Sequence, residues 1–153
     1  MQGKIQGLSF TKRAIPIPAD YRPLYKIAHI LLILHLSCRT GKSSMMKLHF
    51  LCWTIKTKVN TSIVTGWIQD KFSSHLHIWG IEPTVNRALI FAAADNLIEN
   101  VGADFIITSK GRNLAKVILQ DKELFVREKE FLSTIGKNTI TESQITQLAN
   151  KFF

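Results

Sequence analysis

Carboxylates are nearly missing from the first 60 residues, where Asp20 stands alone against ten lysines and arginines. Residues 61–153 carry ten charges of each sign, so the whole net charge of +9 belongs to the amino-terminal part. An asymmetry of that kind points to an anionic partner, either nucleic acid or an acidic protein face, with a solvated basic surface as the plain alternative. Cysteine is scarce too. Cys38 and Cys52 both fall inside apolar helical runs, which favours buried free thiols in a reducing compartment over a disulfide. Long hydrophobic runs are also lacking. The most apolar stretch, Ile27 to Leu36, carries His29 and His35 and is too short to cross a bilayer, so it reads as a buried core helix. The opening MQGKIQGLSFTKR has no apolar segment of the signal-peptide kind, and a cytoplasmic location is the expectation. No internal repeat or low-complexity tract is present. At 153 residues the chain is long enough to fold around one core.

A missing glycine decides the reading of SCRTGKSS, residues 37–44. Gly41-Lys42-Ser43 matches the end of a nucleotide-binding loop, which needs a second glycine five positions earlier to wrap backbone N–H groups around phosphates. That position is Leu36. The preceding LYKIAHILLILHL reads as helix instead of buried strand, and no acidic strand end follows to hold magnesium. The segment is better read as a turn, with Thr40-Gly41 closing one helix and Ser43 or Ser44 capping the next.

The remaining chain divides into an extended arm over 1–19, a domain over 20–121 and a helical extension over 122–153. Alternating prolines in AIPIPAD (14–20) force the arm to run extended. Asp20 is expected to cap a helix reaching about Cys38, with Pro23 in its first turn. Five apolar residues in a row, Ile30 to Leu34, require burial on more than one side. A second helix is expected at about 43–57, with Lys42, Lys47, Lys56 and Lys58 on or beside its polar surface. A shorter helix follows at 61–73, then a strand candidate in LHIWG (76–80). Next, Glu82-Pro83 opens a helix whose Val85, Ala88, Leu89 and Ala92 face inward. A tight turn leads to a strand at Phe105–Ile107 and a helix capped by Thr108, with Gly111 in its first turn. A charged helix at about 122–134, a break at Gly136 and a capping-box helix begun by Thr141 and Gln144 complete the reading. The fold class is therefore mainly α with a small β wing.

Leu97-Ile98, a turn, FIITSKGR (105–112) and Leu114 resemble the wing and closing helix of winged-helix domains. Combined with RPLYKIAHILLIL (22–34), GKSSMMKLH (41–49) and EPTVNRAL (82–89), they resemble the small middle component of three-component ABC-ATPase conflict systems, the Lamassu-type accessory subunit. The likeness spans about residues 20–120. It implies a single winged helix-turn-helix-like domain that is not an enzyme. Such a subunit works beside an SMC-like ABC ATPase and a nuclease effector in antiviral or anti-plasmid defence, with double-stranded DNA contacted within the complex. Members of that family often have glycine where this chain has Asn96, a residue that also tolerates the left-handed conformation.

Individual sites are weighed against plainer readings. His75 and His77 would share one strand face, but no further ligand accompanies them, so surface histidines are expected and no metal or cofactor. Ser37, Cys38 and His35 lie too close along one helix to form a nucleophile and base. Arg39, Lys42, Lys47, Lys56 and Lys58 are the expected contacts to nucleic acid or an acidic partner. Ile15, Ile17, Arg87, Phe152 and Phe153 are the expected partner interface. Arg87 sits near the start of the helix in the recognition position, where DNA readers meet base edges, yet its neighbours Val85, Ala88 and Leu89 suit protein packing. An adaptor subunit is the favoured reading, with a stand-alone winged-helix transcription regulator as the alternative.

Overall fold

The structure is a computed structural model, and it describes residues 22–76 and 80–152. The expected arm, the Asp20 cap and Ile15, Ile17, His77 and Phe153 therefore lie outside the described residues. Helix α1 spans Pro23–Ser37. Its proline occupies the first turn, where a missing N–H costs nothing, and Arg22 before it is extended, as a residue preceding proline must be. Ile30 to Leu34 are all fully buried, because four other helices of the same chain pack around α1. The apolarity of Ile30 to Leu34 is thus satisfied internally, whereas the first turns of α1 leave Leu24 80% exposed, beside a cavity lined also by Ile27, Ala28 and Leu114.

After α1 the chain turns through a single 3-10 turn, Arg39–Gly41, with Thr40 and Gly41 both at positive φ (55° and 69°). Lys42–Ser44 then forms strand β1, not the start of a helix. Helix α2, Met45–Lys56, begins after it, with the Ser44 hydroxyl accepting the Lys47 N–H. Helix α3, Lys58–Gln69, starts earlier than expected because Thr57 caps it, accepting the Asn60 N–H. It also ends earlier, at a turn where Lys71 and Phe72 adopt positive φ. Of the strand candidate at 76–80, residues 77–79 lie outside the described residues, and Leu76 is buried in the core.

Helix α4, Pro83–Ala94, is followed by strands β2, Ile98–Val101, and β3, Asp104–Ile107. Asn96 turns the chain between α4 and β2 at φ 60°. The two strands form an antiparallel hairpin in which Val101 faces Asp104. Gly102, at φ 65°, takes the first of the two loop positions, a conformation a side chain would disfavour. On its other edge β3 pairs antiparallel with β1, Lys42 opposite Ile106, giving the order β1-β3-β2.

Helix α5, Ser109–Gln120, is capped by Thr108 as expected. The charged helix, α6, starts only at Val126 and runs to Ile135, since Phe125 before it is left-handed (φ 52°). Gly136 ends it, and α7 covers Glu142–Phe152. The capping box is formed: the Thr141 N–H donates to Gln144 Oε1 at 2.7 Å, and the Gln144 N–H to Thr141 Oγ1 at 3.3 Å. Phe131, Leu132, Ile135, Ile145 and Leu148 join the same hydrophobic core as α1 and α2. The molecule is a mostly helical domain with a small three-stranded antiparallel sheet.

Candidate partner and anion-binding surfaces

Three of the five cations expected to contact an anionic partner come together. Arg39 on the 3-10 turn, Lys42 on β1 and Lys47 on α2 line a cavity of about 280 Å³ with Lys137 and the first turn of α7. Lys47 does not lie on the polar surface as expected. Only 3% of it is exposed, because β1 shifts the start of α2 and turns its third residue toward α7. Lys42 faces Asp104 across the sheet at 3.7 Å, and Arg39 Nε donates to Asn138 Oδ1 at 2.8 Å. Glu142 is the one acid lining the cavity, and it accepts the Ser44 hydroxyl at 2.6 Å and the Ser44 N–H at 3.1 Å. Lys56 lies elsewhere, paired with Glu82 at 3.2 Å, and Lys58 is exposed at the start of α3. Lys137 and Glu142 were not foreseen, since they reach the cavity only through the packing of α7 on α2.

A second surface lies on α4. Its inward stripe is Val85, Ala88, Leu89 and Ala92, as the spacing predicts. The opposite stripe carries Arg87, Ile90 and Phe91, with Ile90 68% and Phe91 45% exposed. Beside it is a cavity of about 430 Å³ lined mainly by apolar groups, among them Met45, Leu89, Ile90, Ala93 and Phe105. Val101, at the hairpin tip, is also exposed. Ile90 and Phe91 could have been read from the sequence, because they fall off the stripe that α4 buries. Phe152 lies in the last turn of α7.

Between α2 and the start of α4 is a polar network. The Glu82 N–H donates to His49 Nδ1 at 3.1 Å, and His49 Nε2 meets Asn86 Oδ1 at 2.9 Å. The first bond leaves Nδ1 without a proton, so the neutral ring donates from Nε2. Burial lowers the His49 pKa; Asn86 and the Glu82 carboxylate push it up, and Lys26 pushes it down. Lys26, fully buried on α1, reaches the same Glu82 at 3.9 Å. Across α1, His29 lies 3.7 Å from Glu128, and Arg127 3.8 Å from it. Burial would raise the Glu128 pKa, but its bond to His29, a backbone N–H and the His29 and Arg127 charges hold it below the usual value. His35 is lowered by burial and by Arg112, Lys137 and Lys116.

Ser37, Cys38 and His35 are not brought into a nucleophile–base arrangement. The Ser37 hydroxyl donates to the Leu132 carbonyl at 3.0 Å, and burial pushes the Cys38 thiol pKa up against the pull of Lys47 and Ser43. Both cysteines are free and buried. Among the described residues no group of three metal-ligating side chains converges, and His75 is exposed. No described helix is long and apolar enough to cross a membrane. Compared with family models, curated proteins and solved structures, the chain matches none.

Proposed function

We propose that this chain is a winged-helix accessory subunit, without enzymatic activity, of a cytoplasmic Lamassu-type defence complex. It docks on an SMC-like ABC ATPase and helps couple DNA sensing to a separate nuclease effector. The observation that carries this reading is the outward face of α4. In a winged-helix arrangement the helix preceding the wing is the one offered to a target. Here that helix contains one charged residue, Arg87, and exposes Ile90 and Phe91 beside an apolar cavity. A DNA reader needs cations and hydrogen-bonding side chains at that position, whereas an exposed apolar patch fits a protein partner. The order helix, strand, helices, hairpin and the β1-β3-β2 sheet support the winged-helix reading. The likeness at residues 22–34, 41–49 and 82–89, with the wing at 97–98 and 105–112, supports the choice of partner. One departure is the additional helix α3 between α2 and α4.

Co-expression of the full chain with the products of its genomic neighbours, followed by sizing, tests the proposal. The expected outcome is a stable complex with the ATPase, while the chain alone self-associates. A well-behaved lone chain that co-purifies with no neighbour, and binds duplex DNA through Arg87, would replace the adaptor with the regulator.

A further inference from the structure

We infer that the cavity between the first turns of α2 and α7 is a binding site for a phosphate group. The inference is independent of the docking face on α4, which shares no lining residue with this cavity.

Lys47 is the first observation. It is the third residue of α2 and only 3% exposed. Among the described residues no carboxylate lies within ion-pair distance of its ammonium, and no acceptor takes a hydrogen bond from it. Its stem is covered while its ammonium faces the cavity, so its positive charge is presented there. Glu142 lines the same cavity but lies beyond ion-pair distance of Lys47, its two oxygens accepting the N–H and hydroxyl of Ser44.

The second observation is what else surrounds the same space. Arg39 and Lys137 line it, and both are exposed side chains with room to close over a ligand. The Asn138 bond occupies only Nε of Arg39; the two terminal nitrogens of its guanidinium make no hydrogen bond among the described residues. The first turn of α7 contributes the N–H groups of Glu142 and Ser143, which have no partner inside the helix. Lys42, also lining the space, is already matched by Asp104.

Ammonium, guanidinium and helix-terminal N–H donors thus converge from three separate segments on about 280 Å³. A carboxylate would present two oxygens to these donors. A phosphate presents three acceptor oxygens and a larger charge, which suits donors arriving from several directions. The Glu142 carboxylate opposes the ligand, so affinity rests on Lys47 being unmatched without one.

The test is titration of the full chain with inorganic phosphate, followed by calorimetry and thermal melting, in wild type and in Lys47→Met, Lys137→Gln and the control Lys58→Gln. Saturable binding with a rise in Tm is expected for wild type and the control. Lys47→Met keeps the covered apolar stem and removes the charge, so it should fold as wild type and lose the phosphate-dependent rise. Lys137→Gln, on the surface, should weaken binding several-fold at unchanged Tm. A short DNA duplex added as competitor identifies the source of the group. Displacement of phosphate assigns the site to a nucleic-acid backbone, and no displacement assigns it to a free or terminal phosphate. Absence of saturable phosphate binding in wild type, or equal binding in Lys47→Met and Lys137→Gln, overturns the inference.

Discussion

Gly111 lies in the first turn of α5, where a Cβ would run into the Leu97 carbonyl oxygen and stand 2.8 Å from Ile107 Cγ1. The Leu97 oxygen already accepts the N–H and hydroxyl of Thr108, so it has little freedom to retreat. Gly111→Val should destabilise the protein by about 1–3 kcal/mol through overpacking, measured by denaturant unfolding; an unchanged midpoint would contradict this packing. His49 makes a second prediction. Its folded pKa lies below the ordinary 6.5, so between those two values the unfolded chain binds more protons than the folded one. Stability is therefore complete above about pH 6.5 and declines as pH falls through that window. His35 acts in the same direction. Glu128, depressed below 4.5, adds a further loss at lower pH, as its carboxylate is protonated. His49→Gln should flatten the upper part of the decline, measured as unfolding free energy against pH; an unaltered slope would show that His49 is not the group being charged. At this scale the sequence is readable where the chemistry is local. Thr108, Gly111, Asn96 and the Thr141–Gln144 box all take the roles their residue types suggest. Lys47 does not, since its burial depends on α7, nearly a hundred residues away.

Strand β1 shows where local signals end. Lys-Ser-Ser has no alternating apolar pattern and no β-branched residue, so nothing within it specifies a strand. It is extended because β3 presents an edge and the Thr40-Gly41 turn delivers the chain to it. Helices α1, α4 and α5 were readable from periodicity and punctuation, whereas the start of α6 depends on the left-handed Phe125, which no residue preference announces. The junction of β1 and α2 is held by Ser44, which caps α2 and also bonds Glu142 of α7. Ser44→Ala should cost about 1–2 kcal/mol. In a double-mutant cycle with Glu142→Gln the two losses should fall short of additivity, because the bond is shared. Strict additivity would mean that the contact between β1 and α7 contributes nothing.

The whole molecule separates its charge from its apolar surface. Three cations of the amino-terminal part, Arg39, Lys42 and Lys47, gather with Lys137 around one cavity, while α4 and the hairpin expose aliphatic and aromatic groups. The charge asymmetry pointed to Arg39, Lys42 and Lys47, and Arg87 pointed to α4, but Ile90 and Phe91 were not singled out. Partner contacts were expected at Ile15, Ile17 and Phe153, outside the described residues, at Phe152 in the last turn of α7 and at Arg87 on α4. Ile90 and Phe91 are exposed, so Ile90→Glu with Phe91→Glu should leave the fold and its Tm unchanged within about 0.5 kcal/mol, as for other surface substitutions. That property makes the pair a clean probe of docking. The most direct measurement is the affinity of the ATPase for wild-type chain and for this double variant, at matched Tm. The account predicts a loss of at least about tenfold, equivalent to about 1.4 kcal/mol, in the variant. Equal affinity for both chains would contradict the assignment of α4 as the docking face.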